Sequence, residues 1–176
     1  MALSMSLDDP RYIPKAQRIL VVLPTWVGDV VMSTAFLEAL YKRFPDARIS
    51  LLMNRHMFGL LEGSPWVDHS YFWPPRNKSE LAREQRKLLL RQLRAEKFDL
   101  AIMLPNSLRS AWLCWRIGAK RRLGYKRDGR GLLLSDALPV PNRKGRQYEP
   151  LPLVDYYAGI AAALGCEHPG DGLRLF

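Results

Sequence analysis

The feature that most limits this chain is a single change of periodicity between Arg18 and Phe44. Arg18 to Leu23 (RILVVL) is an unbroken apolar run, the mark of a strand buried on both faces. Pro24 stops it, and Thr25-Trp26-Val27-Gly28 read as a loop. From Asp29 onward, Val30, Leu37, Leu40, Tyr41 and Phe44 recur at helical spacing until Pro45 ends the helix. A doubly buried strand needs cover on both sides, and a helix that follows at once supplies it. The unit is therefore one βα step of a parallel sheet.

The same step repeats. Strands are expected at Ala47–Met53, Val67–Trp73, Phe98–Leu104 and Arg121–Tyr125. A short helix falls at Met57–Leu61, and Asn77 with Glu80 starts one that runs to Lys97 with Leu81, Leu88 and Leu93 facing inward. Two more helices cover Leu108–Ile117 and Asp155–Leu164, and Leu132–Leu134 reads as a short extended piece. Together these predict an α/β fold: a parallel sheet with helices on both faces, and a core that includes Leu20, Val22, Leu37, Leu40, Leu51, Ala101, Ile102 and Leu104. Ligands of such sheets sit beyond the carboxyl ends of the strands. The loops of interest are thus 24–29, 105–109 and 125–131.

At 176 residues the chain suits one domain of about 100–200 residues. Residues 18–165 are expected to form it, with 1–17 as a loose tail and 166–176 as a linker. The tail lacks the basic-then-apolar order of a signal peptide. No apolar run approaches the ~18 residues of a membrane span. Cys114 and Cys166 are too few for a disulfide framework and too far apart for a CxxC site, and the 3 histidines are scattered. No metal site is expected, and a reducing, cytoplasmic setting fits.

Charge points to an acidic partner. The formal net charge is +10, and residues 116–146 hold ten Lys/Arg against two acids. Residues 76–97 hold eight against three, and Arg83, Arg86, Lys87 and Arg94 fall on one helix face. That face is either simply solvated or rests on an anionic membrane surface. Nucleic acid is not expected, since no recognition motif is present and aromatic residues are not interleaved with the basic ones.

Three loops could carry chemistry. In the first, Thr25 and Gly28 precede Asp29 at a helix start; one glycine is too few for a dinucleotide fingerprint, and no Gly-Lys-Ser/Thr follows for a P-loop. Asp29 reads either as a helix cap held by the dipole or as a general base at the mouth of the sheet. In the second, Asn106 and Ser107 are good caps, and with Arg109 they could also bind sugar hydroxyls or an anion. In the third, Lys126, Arg127 and Arg130 with Gly124, Gly129 and Gly131 form either an anion cradle or a solvated turn.

The run RILVVLPTWVGDVVMSTAFLEALYKRFPDARISLL, followed by FDLAIMLPNSLRSAWLCWRIGAKRRLGYKRDGRGLLL and the helix LVDYYAGIAAALG, resembles the ADP-heptose:lipopolysaccharide heptosyltransferases, glycosyltransferase family nine. The resemblance covers residues 18–165. The Leu104-Pro105-Asn106-Ser107 element is most similar to the heptosyltransferase II branch.

The resemblance implies a GT-B architecture in which this chain is the N-terminal, Rossmann-like, acceptor-side domain. A second, donor-binding domain would supply most contacts to ADP-heptose. It implies an inverting, metal-independent transfer with Asp29 as the catalytic aspartate and no cofactor besides the sugar donor. The acceptor would be the acidic core of lipopolysaccharide. Thr25, Gly28, Asn106, Ser107, Arg109, Lys126, Arg127 and Arg130 are expected to bind it. The enzyme would work in the cytoplasm, in peripheral contact with the inner face of the membrane, and the chain alone would be inactive. The competing expectation is a non-catalytic module that binds an anionic saccharide or lipid headgroup.

Overall fold

A computed structural model describes residues 15–141, 143–144 and 147–169. Of the tail expected at 1–17, residues 1–14 lie outside the described residues, as do most of the linker and Arg146; Ala16 and Gln17 belong to the fold instead, Ala16 packing in the core and the Gln17 amide donating to Asp99. Six strands form one sheet: β1 (Arg18–Val22), β2 (Arg48–Met53), β3 (His69–Phe72), β4 (Leu100–Met103), β5 (Arg121–Tyr125) and β6 (Asp136–Leu138). Their order is β3-β2-β1-β4-β5-β6, and every pairing is parallel. This is the strand order of a dinucleotide-fold sheet. A separate two-stranded hairpin, β7 (Arg143–Lys144) with β8 (Gln147–Tyr148), falls in the proline-rich stretch and was not expected.

Period-two alternation divides the buried strands between two cores. Ile19, Val21 and Leu23 point to the side covered by α1 (Val27–Arg43) and α4 (Leu153–Ala163). Leu20 and Val22 point to the side covered by α2 (Glu80–Ala95) and α3 (Leu108–Arg116). All eight expected core residues are buried.

Two local expectations are corrected. Leu81 and Leu88 face solvent, and the buried residues of α2 are Ala82, Leu89 and Leu93. At 3.6 residues per turn Leu93 lies about a third of a turn from the Leu81–Leu88 line, so the three cannot share an inward face. The helix is set instead by Ser79, whose hydroxyl accepts from the Ala82 amide while Asn77 holds Ser79. Arg130–Leu133 form a 3-10 turn rather than an extended piece. The turn follows Asp128 and Gly129, both at positive φ, which reverse the chain tightly.

The sheet's switch point lies between β1 and β4. The chain leaves β1 for α1 on one face and leaves β4 for α3 on the other, so the two helix N-termini diverge and open a crevice at the carboxyl edge. Among the described residues no helix is long and apolar enough to cross a membrane.

Candidate active site

One wall of the crevice is the β1–α1 loop. Thr25 and Gly28 are exposed at its mouth, and a Cβ at Gly28 would meet nothing within 4 Å. The N-cap of α1 is Trp26, in extended conformation and without a side-chain cap bond. Asp29 is therefore not the cap. It stands in the first turn, half-buried, and no hydrogen bond or ion pair joins its carboxylate to another described residue. The helix dipole favours its charge there. Tyr157 of α4 is near enough to feel that charge: burial first, and Asp29 next, push its hydroxyl well above the ordinary tyrosine range, so it stays protonated.

The other wall is tied down. Arg130 was expected as a surface cation; its side chain is instead wholly buried, at 0% exposure. Its guanidinium donates to the carbonyls of Tyr125 (2.9 Å) and Pro105 and to Asn106 Oδ1 (3.0 Å). A guanidinium can be buried when its fork of donors is matched by acceptors. Burial lowers its pKa, with Tyr156 and Asp128 opposing, yet an arginine remains charged. Arg130 therefore braces the loops and is not available to an acceptor.

Asn106 Oδ1 also accepts from Tyr156 Oη at 2.7 Å, and Tyr125 Oη donates to the Tyr156 carbonyl at 2.8 Å. The Tyr125 and Tyr156 rings meet tilted by 41°, with 4.2 Å between centroids. Gly159 lets α4 come this close, because a Cβ there would overlap the Tyr125 hydroxyl. The Asn106 carbonyl oxygen is thus spent, and its amide nitrogen remains for a ligand. Ser107 is the true cap of α3, accepting from the Ser110 amide at 3.2 Å.

The remaining cations differ in reach. Lys126 is exposed, its stem lying along Gly131. Arg127 is half-buried with Nε 3.8 Å from Asp128 Oδ1. Arg109 lies over the Trp73 ring at 4.3 Å. Burial, then the charges of Arg76 and Arg86, lower its pKa. Arg86 is held by the carbonyls of Pro75 and Asn77. The charges of Arg76 and Arg86 thus reach Arg109 in the first turn of α3. Sequence reasoning found Arg109 as a site residue and Arg86 on a basic helix face; the contact of Arg109 with Trp73 carries no spacing signal, because it joins the end of β3 to the start of α3, far apart in the chain. Tyr156 and Tyr157 were also missed, although a Tyr-Tyr pair on an otherwise small-residue helix was a visible oddity.

Two open depressions of about 390 and 450 Å3 flank the edge strand β3 and share Arg55, His69 and Phe72 in their linings. Neither includes a residue of the crevice loops. The crevice chemistry is a carboxylate with no bond to a described residue and cations on the opposite side. Among the described residues no three His, Cys, Asp or Glu side chains gather as a metal-binding group.

Residues 86–169 match the model of glycosyltransferase family 9 (heptosyltransferase). The chain is 34% identical over 119 residues to lipopolysaccharide heptosyltransferase 2 of Escherichia coli (strain K12), covering 68% of this chain and 34% of that one. The chain belongs to glycosyltransferase family 9. The solved E. coli ADP-heptose lps heptosyltransferase II superposes with a TM-score of 0.65 at 30% identity, over 82% of this chain and 40% of that one. A family 9 glycosyl transferase from Veillonella parvula DSM 2008 shares the fold at a TM-score of 0.77 and 22% identity, over 94% of this chain and 47% of its own. This family 9 chain thus spans about a third of the length of the curated relatives it matches.

Proposed function

We propose that the chain is the acceptor-side domain of a heptosyltransferase that moves heptose from ADP-heptose to the inner core of lipopolysaccharide. The observation that carries this reading is Asp29, a carboxylate at the switch point of the sheet that makes no hydrogen bond or ion pair to a described residue. A carboxylate at the carboxyl edge of the sheet, where ligands of such folds bind, and not held by a bond to a described residue, is placed to take a proton.

In the proposed reaction Asp29 accepts the proton of an acceptor hydroxyl as its oxygen attacks the anomeric carbon of the donor. A new C–O bond forms on the face opposite the leaving group. The bond to the diphosphate breaks, and ADP departs with the electron pair, inverting the anomeric centre. No metal is needed for the base to act. Lys126, Arg127 and the Arg109 group would meet the carboxylates and phosphates of the acceptor, with Thr25, Gly28, the Asn106 amide and Ser107 at its hydroxyls. The resemblance assigns most ADP contacts to a second domain in the GT-B arrangement, so the chain alone should transfer nothing.

The test is ADP release with ADP-heptose and a Kdo–lipid A acceptor by an enzyme that joins this chain to a donor-binding domain. Asp29→Asn should cut turnover about 10²–10⁴-fold. Unaltered turnover would remove Asp29 from the chemistry. Transfer by residues 1–176 alone would overturn the division between two domains.

A further inference from the structure

The hydrogen bonds around Asn106 and Ser107, in the loop after β4, decide which atoms of the two side chains are left over. Asn106 Oδ1 receives Arg130 Nη2 at 3.0 Å and Tyr156 Oη at 2.7 Å. A guanidinium carries donors only, so the atom that meets it must be the carbonyl oxygen and not the amide nitrogen. Both lone pairs of that oxygen are then filled. The carboxamide cannot flip without setting donor against donor. Its nitrogen is the half that remains: Nδ2 makes no hydrogen bond to a described residue, and Asn106 is half-buried in the crevice wall.

Ser107 is settled in the same way. The Ser110 hydroxyl gives its proton to the Ser107 carbonyl at 2.7 Å. Ser107 Oγ, 3.0 Å from Ser110 Oγ, is therefore the donor of that pair, and it also accepts the Ser110 amide at 3.2 Å. A hydroxyl has one proton and two lone pairs. One lone pair remains on Ser107, which is exposed. Adjacent residues thus leave one donor and one acceptor. A hydroxyl fits that pair, since it accepts from the first and donates to the second. A carboxylate or phosphate oxygen has lone pairs only, and would meet the lone pair of Ser107.

The donor is set from a distance. Tyr156 lies in α4, 50 residues along the chain from Asn106. It is buried against Tyr125, whose hydroxyl donates to the Tyr156 carbonyl at 2.8 Å. Two glycines make room for the arrangement. A Cβ at Gly159, inside α4, would overlap the Tyr125 hydroxyl, and one at Gly124 would lie 3.1 Å from Arg130 Nη2. A helix interior gives up stability for a glycine, and here the glycine lets the tyrosine pair reach the loop.

We propose that Asn106 and Ser107 together read one neutral hydroxyl of the sugar acceptor, and that Tyr156 is the positioning residue which, with Arg130, keeps the Asn106 nitrogen turned towards it. The inference rests on the acceptor-side reading above and deepens it. The loop takes a hydroxyl, and the charged groups fall to Lys126, Arg127 and Arg109. Tyr156 touches no sugar and acts only through Asn106.

The experiment is calorimetric titration of the full chain with deacylated Kdo–lipid A, which needs neither a donor nor a second domain. Tyr156→Phe keeps the ring and removes only the hydroxyl, and should weaken binding about fivefold. Asn106→Asp still accepts from Arg130 and Tyr156 but turns the remaining donor into a second acceptor. It should weaken binding about tenfold, with a denaturation midpoint no lower than that of wild type. In an Asn106→Ala background Tyr156→Phe should change nothing further. Before any sugar is added, the side-chain amide NMR signals of Asn106, identified by their loss in Asn106→Asp, should be rigid in wild type and mobile in Tyr156→Phe. In a series of the same sugar with one hydroxyl removed from each member, one member should bind wild type and Asn106→Asp alike. Undiminished binding by Asn106→Asp, or a rigid amide in Tyr156→Phe, would overturn the proposal. So would an equal effect of Tyr156→Phe with and without Asn106, or a series in which no single hydroxyl accounts for the loss. No binding by the wild-type chain would instead strike the acceptor-side reading, and the proposal with it.

Discussion

The two ends of this one sheet treat polar side chains in opposite ways. At the amino end several charges hold strands together. Asp99 accepts from the backbone amides of Gln17 and Arg18 and from Lys120 Nζ at 2.8 Å, which its lowered pKa reflects. Asp68 accepts the Ile49 amide at 2.7 Å. Glu96 takes the Tyr71 hydroxyl at 2.9 Å and an ion pair from Arg48. Arg121 is forked onto the buried Asp136, whose carboxylate raises the Arg121 pKa. At the carboxyl end the wall after β4 and β5 is bonded inward through Arg130, while in the wall after β1 Asp29 makes no such bond to a described residue. A parallel sheet can close one end completely because only the other receives ligand. A charge spent on structure and a charge kept for function differ in partners, not in residue type.

That contrast can be broken by exchanging what each charge does. The largest effect is the one proposed for Asp29→Asn, a loss in turnover of several kcal/mol of transition-state stabilisation. It should come with an unchanged denaturation midpoint, since no structural bond is removed. If Asp29→Asn unfolds the chain instead, the two ends are alike.

Arg130→Met should act the other way. It takes the donor from the Pro105 carbonyl and leaves the Tyr125 carbonyl and Asn106 Oδ1 with one donor each, and should lower unfolding free energy by roughly 2–4 kcal/mol in urea. Lys126→Ala, one loop residue away from that network, should stay within ~0.5 kcal/mol. Equal losses from both would mean that the loop is braced by its backbone alone.

Asp136→Asn at the amino end should cost about 2 kcal/mol, because Arg121 is only partly reached by water and loses its charged acceptor. Turnover of the joined enzyme should not change beyond what stability explains. The smallest effect is at Asp99, where Lys120 is largely exposed and the pair is screened. Asp99→Asn should cost under ~1 kcal/mol at neutral pH. Its carboxyl is held below the unfolded value near 3.8, so the stabilisation is complete above that value. It fades as pH falls through the lower folded value, and wild type and variant should converge in acid. A difference that persists there would assign the effect to the Gln17 and Arg18 amides, not to charge.

The sheet, its direction and its core were legible in the sequence, because a doubly buried strand leaves a continuous apolar run and a following helix leaves a different period. Arg18–Leu23 before Asp29, and Phe98–Leu104 before Leu108, carry that signal unaided. Asp29 was legible as a candidate for the same reason: its place at the end of the first strand is a matter of chain order. Other features were not legible. Arg130 in its basic loop looked like Lys126, and burial alone separates them. The inward face of α2 was misread because leucine is apolar in either direction, and Ala82 fits the sheet where Leu81 does not.

What the sequence determined alone is whatever depends on neighbours along the chain: periodicity, strand ends, the Ser107 cap, and the βα steps that make a parallel sheet. Tertiary structure decided whatever depends on residues distant in the chain. It brought Tyr156 50 residues along to Asn106 and set the Arg109 guanidinium over Trp73. It also turned Leu108, Trp112 and Trp115 outward. The physical reason is that a side chain's charge and apolar area are properties of the residue. Whether they end in water, in the core or against a partner depends on desolvation and packing, which exist only once the sheet has closed around its two cores.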